Sequence, residues 1–348
     1  MVSLFKESIY RMPAEWEKQK STWIAWPHNK SDWPNKFRLI PDVFAEIISQ
    51  ISKVQKVNII VENIKSRKNI ISFLKNYNVN NKNLKFIRCK TDRVWLRDSF
   101  PLFIKDKNNK KVLLNWEFNA WAKYKNFKKD NAIYNKIKKI SNLKTIKPIL
   151  KKRKIVLEGG SIDIDGKGTL LTTKECLLSK SQERNPGFKK KEYELIFNKY
   201  LGVKKVLWLN KGIVGDDTHG HIDDIARFVN EKKIFIAYEN NKKDINYKNL
   251  KENFKIINKM NKKKKFKIIK LPMPDPKFFE GIRVPASYLN FYIANKIVLV
   301  PVFKDKKDKK VLKIFRKHFH KRKIIPIDCS ILIWGLGAIH CMTQQEPI

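Results

Sequence analysis

The C-terminal run Gly335-Leu336-Gly337-Ala338-Ile339-His340-Cys341-Met342-Thr343-Gln344-Gln345 sets one thiol behind a glycine-rich turn, within a stretch, residues 324–348, that holds no Lys or Arg. Glycine clears side chains from an approach path, so Cys341 suits a nucleophile that a small substrate must reach closely. A buried terminal strand, with the cysteine as a small apolar residue, is the other reading of this run alone. Acid gathers elsewhere: Gly215-Asp216-Asp217-Thr218-His219-Gly220-His221-Ile222-Asp223-Asp224 lies in a stretch, 212–226, that is also free of Lys and Arg. On an extended strand His221 and Asp223 share one face, which would turn an imidazole and a carboxylate into one pocket. His219 and His221 with Asp217 or Asp223 could instead ligate a metal, although no third strong ligand is signalled nearby, and an acidic turn is a further alternative. Trp95-Leu96-Arg97-Asp98-Ser99-Phe100-Pro101 holds Asp98 at a Pro-ended turn, and Val156-Leu157-Glu158-Gly159-Gly160 holds Glu158 at a strand end before a Gly pair. Strand ends of this kind expose catalytic groups.

One thiol, one imidazole and several carboxylates suit a cationic substrate. A guanidinium is planar and meets carboxylates in two-point pairs, so two Asp can clamp it and fix its carbon. At about 4 Å and an effective dielectric near 20, each pair supplies roughly 4 kcal/mol of attraction before desolvation is subtracted. Resonance makes that carbon a poor electrophile, and a thiolate is the nucleophile best suited to it. Neighbouring carboxylates raise a thiol pKa and a bound cation lowers it, so Cys341 is expected to be protonated when free and to ionise when substrate arrives. His221 can protonate departing ammonia and then take a proton from the attacking water, with Glu158 holding the imidazole.

These groups need a scaffold. Short β-branched and aromatic runs at 57–61, 85–89, 112–116, 155–157, 206–209, 225–229, 234–238 and 297–303 read as strands. Runs at 37–53, 131–140, 189–200, 247–260 and 309–320 carry apolar residues at three- and four-residue spacing and read as helices. The class is α/β or α+β, in one compact domain over 1–348, with no self-similar repeat visible in the residues themselves. At 42% hydrophobic the chain can bury a substantial core. It has no run of eighteen apolar residues and no secretory leader at its start, so a soluble cytoplasmic protein without membrane association is expected. Cys89, Cys176, Cys329 and Cys341 show no CxxC pair, which points to reduced thiols rather than a zinc site or disulfides. The formal net charge of +43 is mostly lysine spread over nearly every surface-like segment, including the run Lys262-Lys263-Lys264-Lys265 in a solvated helix and loop. Such a surface gives solubility and nonspecific stickiness rather than a dedicated nucleic-acid site.

Met12-Pro13-Ala14-Glu15-Trp16-Glu17, Trp23-Ile24-Ala25-Trp26-Pro27, Trp95 to Asp98, Phe118-Asn119-Ala120-Trp121, Glu158-Gly159-Gly160, Arg184-Asn185-Pro186, Gly215 to Asp224, Pro285-Ala286-Ser287-Tyr288-Leu289-Asn290-Phe291 and the Cys341 run together resemble the agmatine deiminase family, close to the bacterial peptidylarginine deiminases, within the guanidine-modifying (pentein) superfamily. The resemblance spans almost the whole chain. It implies a five-bladed α/β propeller of ββαβ units around a central active-site pocket, with Cys341 as nucleophile, His221 as acid and base, Asp98 and Asp223 on the guanidinium and Glu158 beside the His. It further implies conversion of agmatine to N-carbamoylputrescine and ammonia, in putrescine (polyamine) biosynthesis, without metal or organic cofactor. Asp217 looks like an additional pocket carboxylate. Trp95 and Trp121 suit a pocket for an amine-bearing substrate, and a homo-oligomer, dimer or higher, is expected. Phe100 stands where the family more often has Gly, and Leu336 and Ala338 interrupt a fuller glycine run, which bears on loop shape and substrate access. An arginine deiminase would need an Arg free to grip the α-carboxylate, and none stands out beside the acidic motifs. Bacterial peptidylarginine deiminases are exported and carry extra domains, neither of which the sequence signals. A basic nucleic-acid-binding protein without catalysis is the reading from another class.

Overall fold

The computed structural model describes residues 8–261 and 265–348, so Lys262, Lys263 and Lys264 of the lysine run and the first seven residues lie outside the description. Its sheets repeat one pairing pattern. Leu102–Asp106 pairs antiparallel with Lys111–Leu114, which pairs parallel with Lys144–Ile146; the helix Lys128–Ser141 makes the crossover. The same order recurs in Asp163–Ile164, Thr169–Thr173 and Lys205–Leu209, in Ala226–Asn230, Lys233–Tyr238 and Lys267–Pro272, and in Tyr292–Ile293, Ile297–Val302 and Lys323–Asp328. The chain's last strand, Gln344–Pro347, supplies the antiparallel partner of Gln19–Ala25, which then pairs parallel with Lys56–Val61. Five ββαβ units are thus formed, and no repeat of residues announces them because strand pairing, not side-chain identity, is what recurs.

Period-two alternation assigns each sheet two faces. Leu102, Ile104, Val112 and Leu114 join one apolar cluster while Phe103 and Leu113 join the larger one, and Leu170 and Leu171 divide in the same way. Central strands buried on both sides read as continuous apolar runs, as in Ile297–Val302. The crossover helices bury a single stripe; Ile40–Ser52 starts with a proline in its first turn and buries Ile40, Phe44, Ile47, Ile48 and Ile51.

The expected runs fall within a few residues of strands and helices, with two differences, while the strands Gln19–Ala25, Leu102–Asp106, Thr169–Thr173, Lys267–Pro272 and Lys323–Asp328 and the helix Arg67–Leu74 lie outside those runs. The run 155–157 forms only an isolated bridge, Val156 to Glu117. His221 to Asp223 is not a strand: Ile222–Asp224 is a 3₁₀ turn. Asp216 explains this, because its carboxylate accepts from the backbone N–H of Gly220 at 2.8 Å and of His221 at 3.1 Å, while Gly220 takes φ +92°. Side-chain capture of backbone donors competes with strand pairing. No helix among the described residues is long and apolar enough to cross a membrane.

Candidate active site

A few residues ahead of the first strand of each unit, a short turn presents one or more polar groups. Leu96–Ser99 presents Asp98, the turn Gly159–Ser161 follows Glu158, Ile222–Asp224 presents Asp223 beside His221, Asn290 precedes Tyr292–Ile293, and Ile339–Met342 presents Cys341. All five groups converge.

Cys341 Sγ accepts from Asn290 Nδ2 at 3.1 Å and lies 3.8 Å from Asp223 Oδ2. Asn290 braces Cys341 at both ends, since its Oδ1 accepts from the N–H of His340 at 2.9 Å and of Cys341 at 3.3 Å. Burial, and then the charges of Asp223, Asp224 and Asp98, push the Cys341 thiol well up. Asp98 Oδ2 accepts from Trp121 Nε1 at 2.9 Å and Oδ1 from Gly160 N at 2.9 Å. Burial pushes this carboxyl up to about 6 even though His221 pulls the other way. His221 is buried with both ring nitrogens lacking a hydrogen-bond partner among the described residues. Its Nδ1 stands 3.8 Å from Asp98 and 4.0 Å from Asp223, and its Nε2 stands 3.7 Å from Glu158. Burial disfavours the imidazolium, but Asp98, Cys176 and Glu158 outweigh it and raise the His221 pKa well above the usual value. Glu158 opposes its own burial through Arg184, 3.1 Å away, and through His221, which hold it down at about 2.

The thiol opens on a cavity of about 350 Å³ lined by Cys341, Asp98, Trp95, Trp121, Asp217 and Asp32, with further residues at its rim. Asp217 Oδ2 accepts from Tyr124 Oη at 2.6 Å, and burial raises its pKa. Burial likewise pushes Asp32 up to about 7 against the pull of Arg93. Trp121 and its neighbours Ala120 and Ala122 all take left-handed backbone angles, with Asn119 Oδ1 accepting from Ala122 N at 3.0 Å. Strain of this kind persists where surrounding structure fixes it; here it delivers the indole to Asp98.

Of the glycines that space requires, two lie directly against site side chains. A Cβ on Gly337 would lie 2.7 Å from the Trp95 ring, and one on Gly160 would lie 2.6 Å from His221 Nδ1 and 2.8 Å from Asp98 Oδ1. Gly160→Ala is therefore expected to fold yet lose on the order of 100-fold in kcat/KM, as sub-ångström to ångström displacement of reacting groups does. Steady-state kinetics beside a melting curve checks it, and near-normal kcat/KM would show that these side chains relax freely.

The remaining sequence assignments resolve as follows. Phe100 is core, 4.8 Å from Trp23 between ring centroids, and does not line the cavity. Leu336 does line it, at φ +65°, a conformation glycine adopts without strain. Ala338 is buried ahead of the Cys341 turn. His219 turns to Ser179, 3.1 Å away, and does not join His221 in a ligand set. The atoms lying together are those of Glu158, Cys176 and His221, all within 4.8 Å. Arg184 already occupies Glu158, and the surrounding carboxylates favour a protonated His221, so this group is better suited to hydrogen bonding than to a metal. Asn290, His340, Glu15, Arg184, Cys176, Tyr124 and Asp32 join the site without a chemistry-bearing motif of their own to mark them; His340 alone is signalled, by its adjacency to Cys341. Arg93 reaches the cavity wall, but its donors go to Asn126 and its Nε lies 3.8 Å from Asp32, so it is not an Arg free to grip a carboxylate.

The mixed α/β fold matches structures of the pentein superfamily. A Cys-to-Ser variant of C. jejuni agmatine deiminase with substrate bound aligns with a TM-score of 0.86 at 30% identity, covering 97% of this chain and 96% of that one. The agmatine deiminase of Enterococcus faecalis aligns with a TM-score of 0.86 at 29% identity, covering 97% and 96%. The chain belongs to the Porphyromonas-type peptidyl-arginine deiminase family, which matches residues 11–347. A Mycoplasma capricolum relative, provisionally named an agmatine deiminase, is 34% identical over 100% of this chain and 98% of its own length.

Proposed function

We propose that this protein hydrolyses agmatine to N-carbamoylputrescine and ammonia, serving putrescine formation. One observation carries the reading: the cavity that opens on Cys341 and Asp98 is also lined by Asp32, Asp217 and Glu280, within a chain of net charge +43. Acid concentrated in the cavity of so basic a protein suits a substrate with two cations. Asp98 and Asp223 take the guanidinium, whose charge ionises Cys341. Sulfur attacks the guanidinium carbon, His221 gives a proton to the departing nitrogen, and ammonia leaves a thiouronium on Cys341. His221 then removes a proton from water, the oxygen adds to the same carbon, and the C–S bond breaks to release the ureido product and restore the thiol. Trp95, Trp121 and Asp217 receive the amine end. The names of the aligned relatives support the substrate, and the substrate-bound Cys-to-Ser variant supports a cysteine at the reacting centre. In the same proposal the five ββαβ units form one catalytic domain, a five-bladed propeller about the pocket, that assembles as a cytoplasmic homo-oligomer and needs no cofactor, nucleic acid or membrane.

In a second reading the substrate carries a carboxylate, as arginine does, and Arg93 on the cavity wall releases Asn126 to receive it. Ammonia release measured with agmatine, free arginine and a blocked arginyl peptide separates the two. Agmatine is expected to turn over fastest. Fast release from arginine or peptide with agmatine inert would overturn the substrate while leaving the chemistry.

A further inference from the structure

His340 precedes the nucleophile and points away from the cavity into a buried chain of charges. Its Nδ1 meets Asp223 Oδ2 at 2.7 Å and its Nε2 meets Glu15 Oε2 at 2.8 Å, all three side chains being almost fully buried. Glu15 is held as a carboxylate by several donors: Arg97 NH2 at 3.2 Å, Arg227 NH2 at 3.0 Å and the N–H of Ile293 at 2.8 Å. Arg227 in turn faces Asp163 at 3.2 Å. An ionised carboxylate only accepts hydrogen bonds, and a neutral imidazole has one N–H and one lone pair. Placing that lone pair against either oxygen would be repulsive, so two close carboxylates require donation from both ring nitrogens.

The consequence falls on Asp223. Oδ2 is occupied by His340, while Oδ1 has no hydrogen-bond partner and is the oxygen facing His221. We propose that His340 is a positioning residue, a buried cation anchored by Glu15 that fixes the charge and the rotation of Asp223 and leaves one carboxylate oxygen free for the substrate guanidinium. Burial alone would raise the Asp223 pKa; the hydrogen bond and charge of His340, with help from His221 and Arg227, bring it below the usual range. The groups that face this site are Glu15, Arg97, Arg227, Asp163, His221 and Asp223, and only the first three and Asp163 lie behind the imidazole. The inference rests on the deiminase reading for its kinetic test, and on no reading of substrate for its spectroscopic one.

Two measurements test it. In ¹⁵N-histidine-labelled protein, with the His340 signals assigned by their loss in His340→Gln, both ring nitrogens are expected to carry hydrogen in the folded protein, and a single-N–H signature there overturns the proposal even if the enzyme prefers another guanidine. In His340→Gln and Glu15→Gln, KM for agmatine is expected to rise on the order of tenfold or more with a smaller loss in kcat. The acid limb of kcat/KM is expected to move up by about one pH unit or to steepen as a second carboxyl titrates. Loss by one uniform factor at every pH, carried by kcat with KM unchanged, would mean that His340 only supports the fold and would sink the proposal.

Discussion

Turnover of agmatine by Cys341→Ser is expected to fall on the order of 10⁴-fold or more, while the melting temperature and agmatine binding stay close to those of the parent. The size follows from the proposed role: removing a covalent nucleophile leaves only binding and electrostatic assistance behind. A serine oxygen in the same place is worse off than in water, because the three carboxyls that push the Cys341 thiol up oppose an alkoxide more strongly still. Stability should change little, since serine keeps an acceptor for Asn290 Nδ2 and that amide also reaches Asp224 Oδ1 at 3.0 Å. Rapid-quench kinetics and calorimetric binding check both halves. Residual turnover above about 1% of the parent would remove Cys341 from the role of nucleophile. The same cage makes a statement about the resting enzyme. With the variant as the blank for Cys89, Cys176 and Cys329, alkylation of Cys341 by iodoacetamide at pH 7 should be slow and should accelerate with pH. Alkylation as fast as that of an activated thiolate would show that substrate is not what ionises it.

Much of the scaffold could be read from residues because it depends on local period: the helix Tyr247–Met260 buries Leu250, Asn253 and Ile257 at the spacing its pattern implies. The chemistry-bearing residues could be read for a different reason, namely that carboxylates are conspicuous in a lysine-rich chain. What stayed hidden depends on contacts far apart in sequence. Glu15 and His340 are 325 residues apart and meet at 2.8 Å; nothing near either residue records the other. His221 and Asp223 were expected to share a pocket as alternate residues of a strand, but Asp216 bends that segment into a turn, and the two side chains approach by another route. The absence of Lys and Arg from the C-terminal stretch has a packing cause. Residues 338–347 are buried throughout, and an ammonium there would need a partner; Lys20 and Lys111 instead reach in from neighbouring strands to pair with Glu346.

Asp98→Asn carries the second large effect, a loss in kcat/KM on the order of 10³- to 10⁴-fold, equivalent to about 4–5 kcal/mol of transition-state stabilisation. The amide is isosteric, yet it removes one of the two charges on the guanidinium and offers an NH2 where either Trp121 Nε1 or Gly160 N now donates. The pH profile distinguishes lost charge from lost shape. In the proposed mechanism Asp98 must be ionised to hold the guanidinium, and burial pushes its carboxyl up to about 6, so kcat/KM should rise as pH climbs through about 6. On the alkaline side kcat/KM should fall when His221, whose pKa lies well above the usual imidazole value, loses its proton. Asparagine does not titrate, so the acid limb near 6 should vanish from the variant, leaving a limb only at the lower pH where Asp223 protonates. Asp98 is also the leading charge that sustains the imidazolium, so its removal should shift the alkaline limb to lower pH. A variant profile parallel to that of the parent, merely displaced downward, would assign the acid limb to another carboxyl and leave Asp98 as a structural acceptor for the indole and the glycine turn.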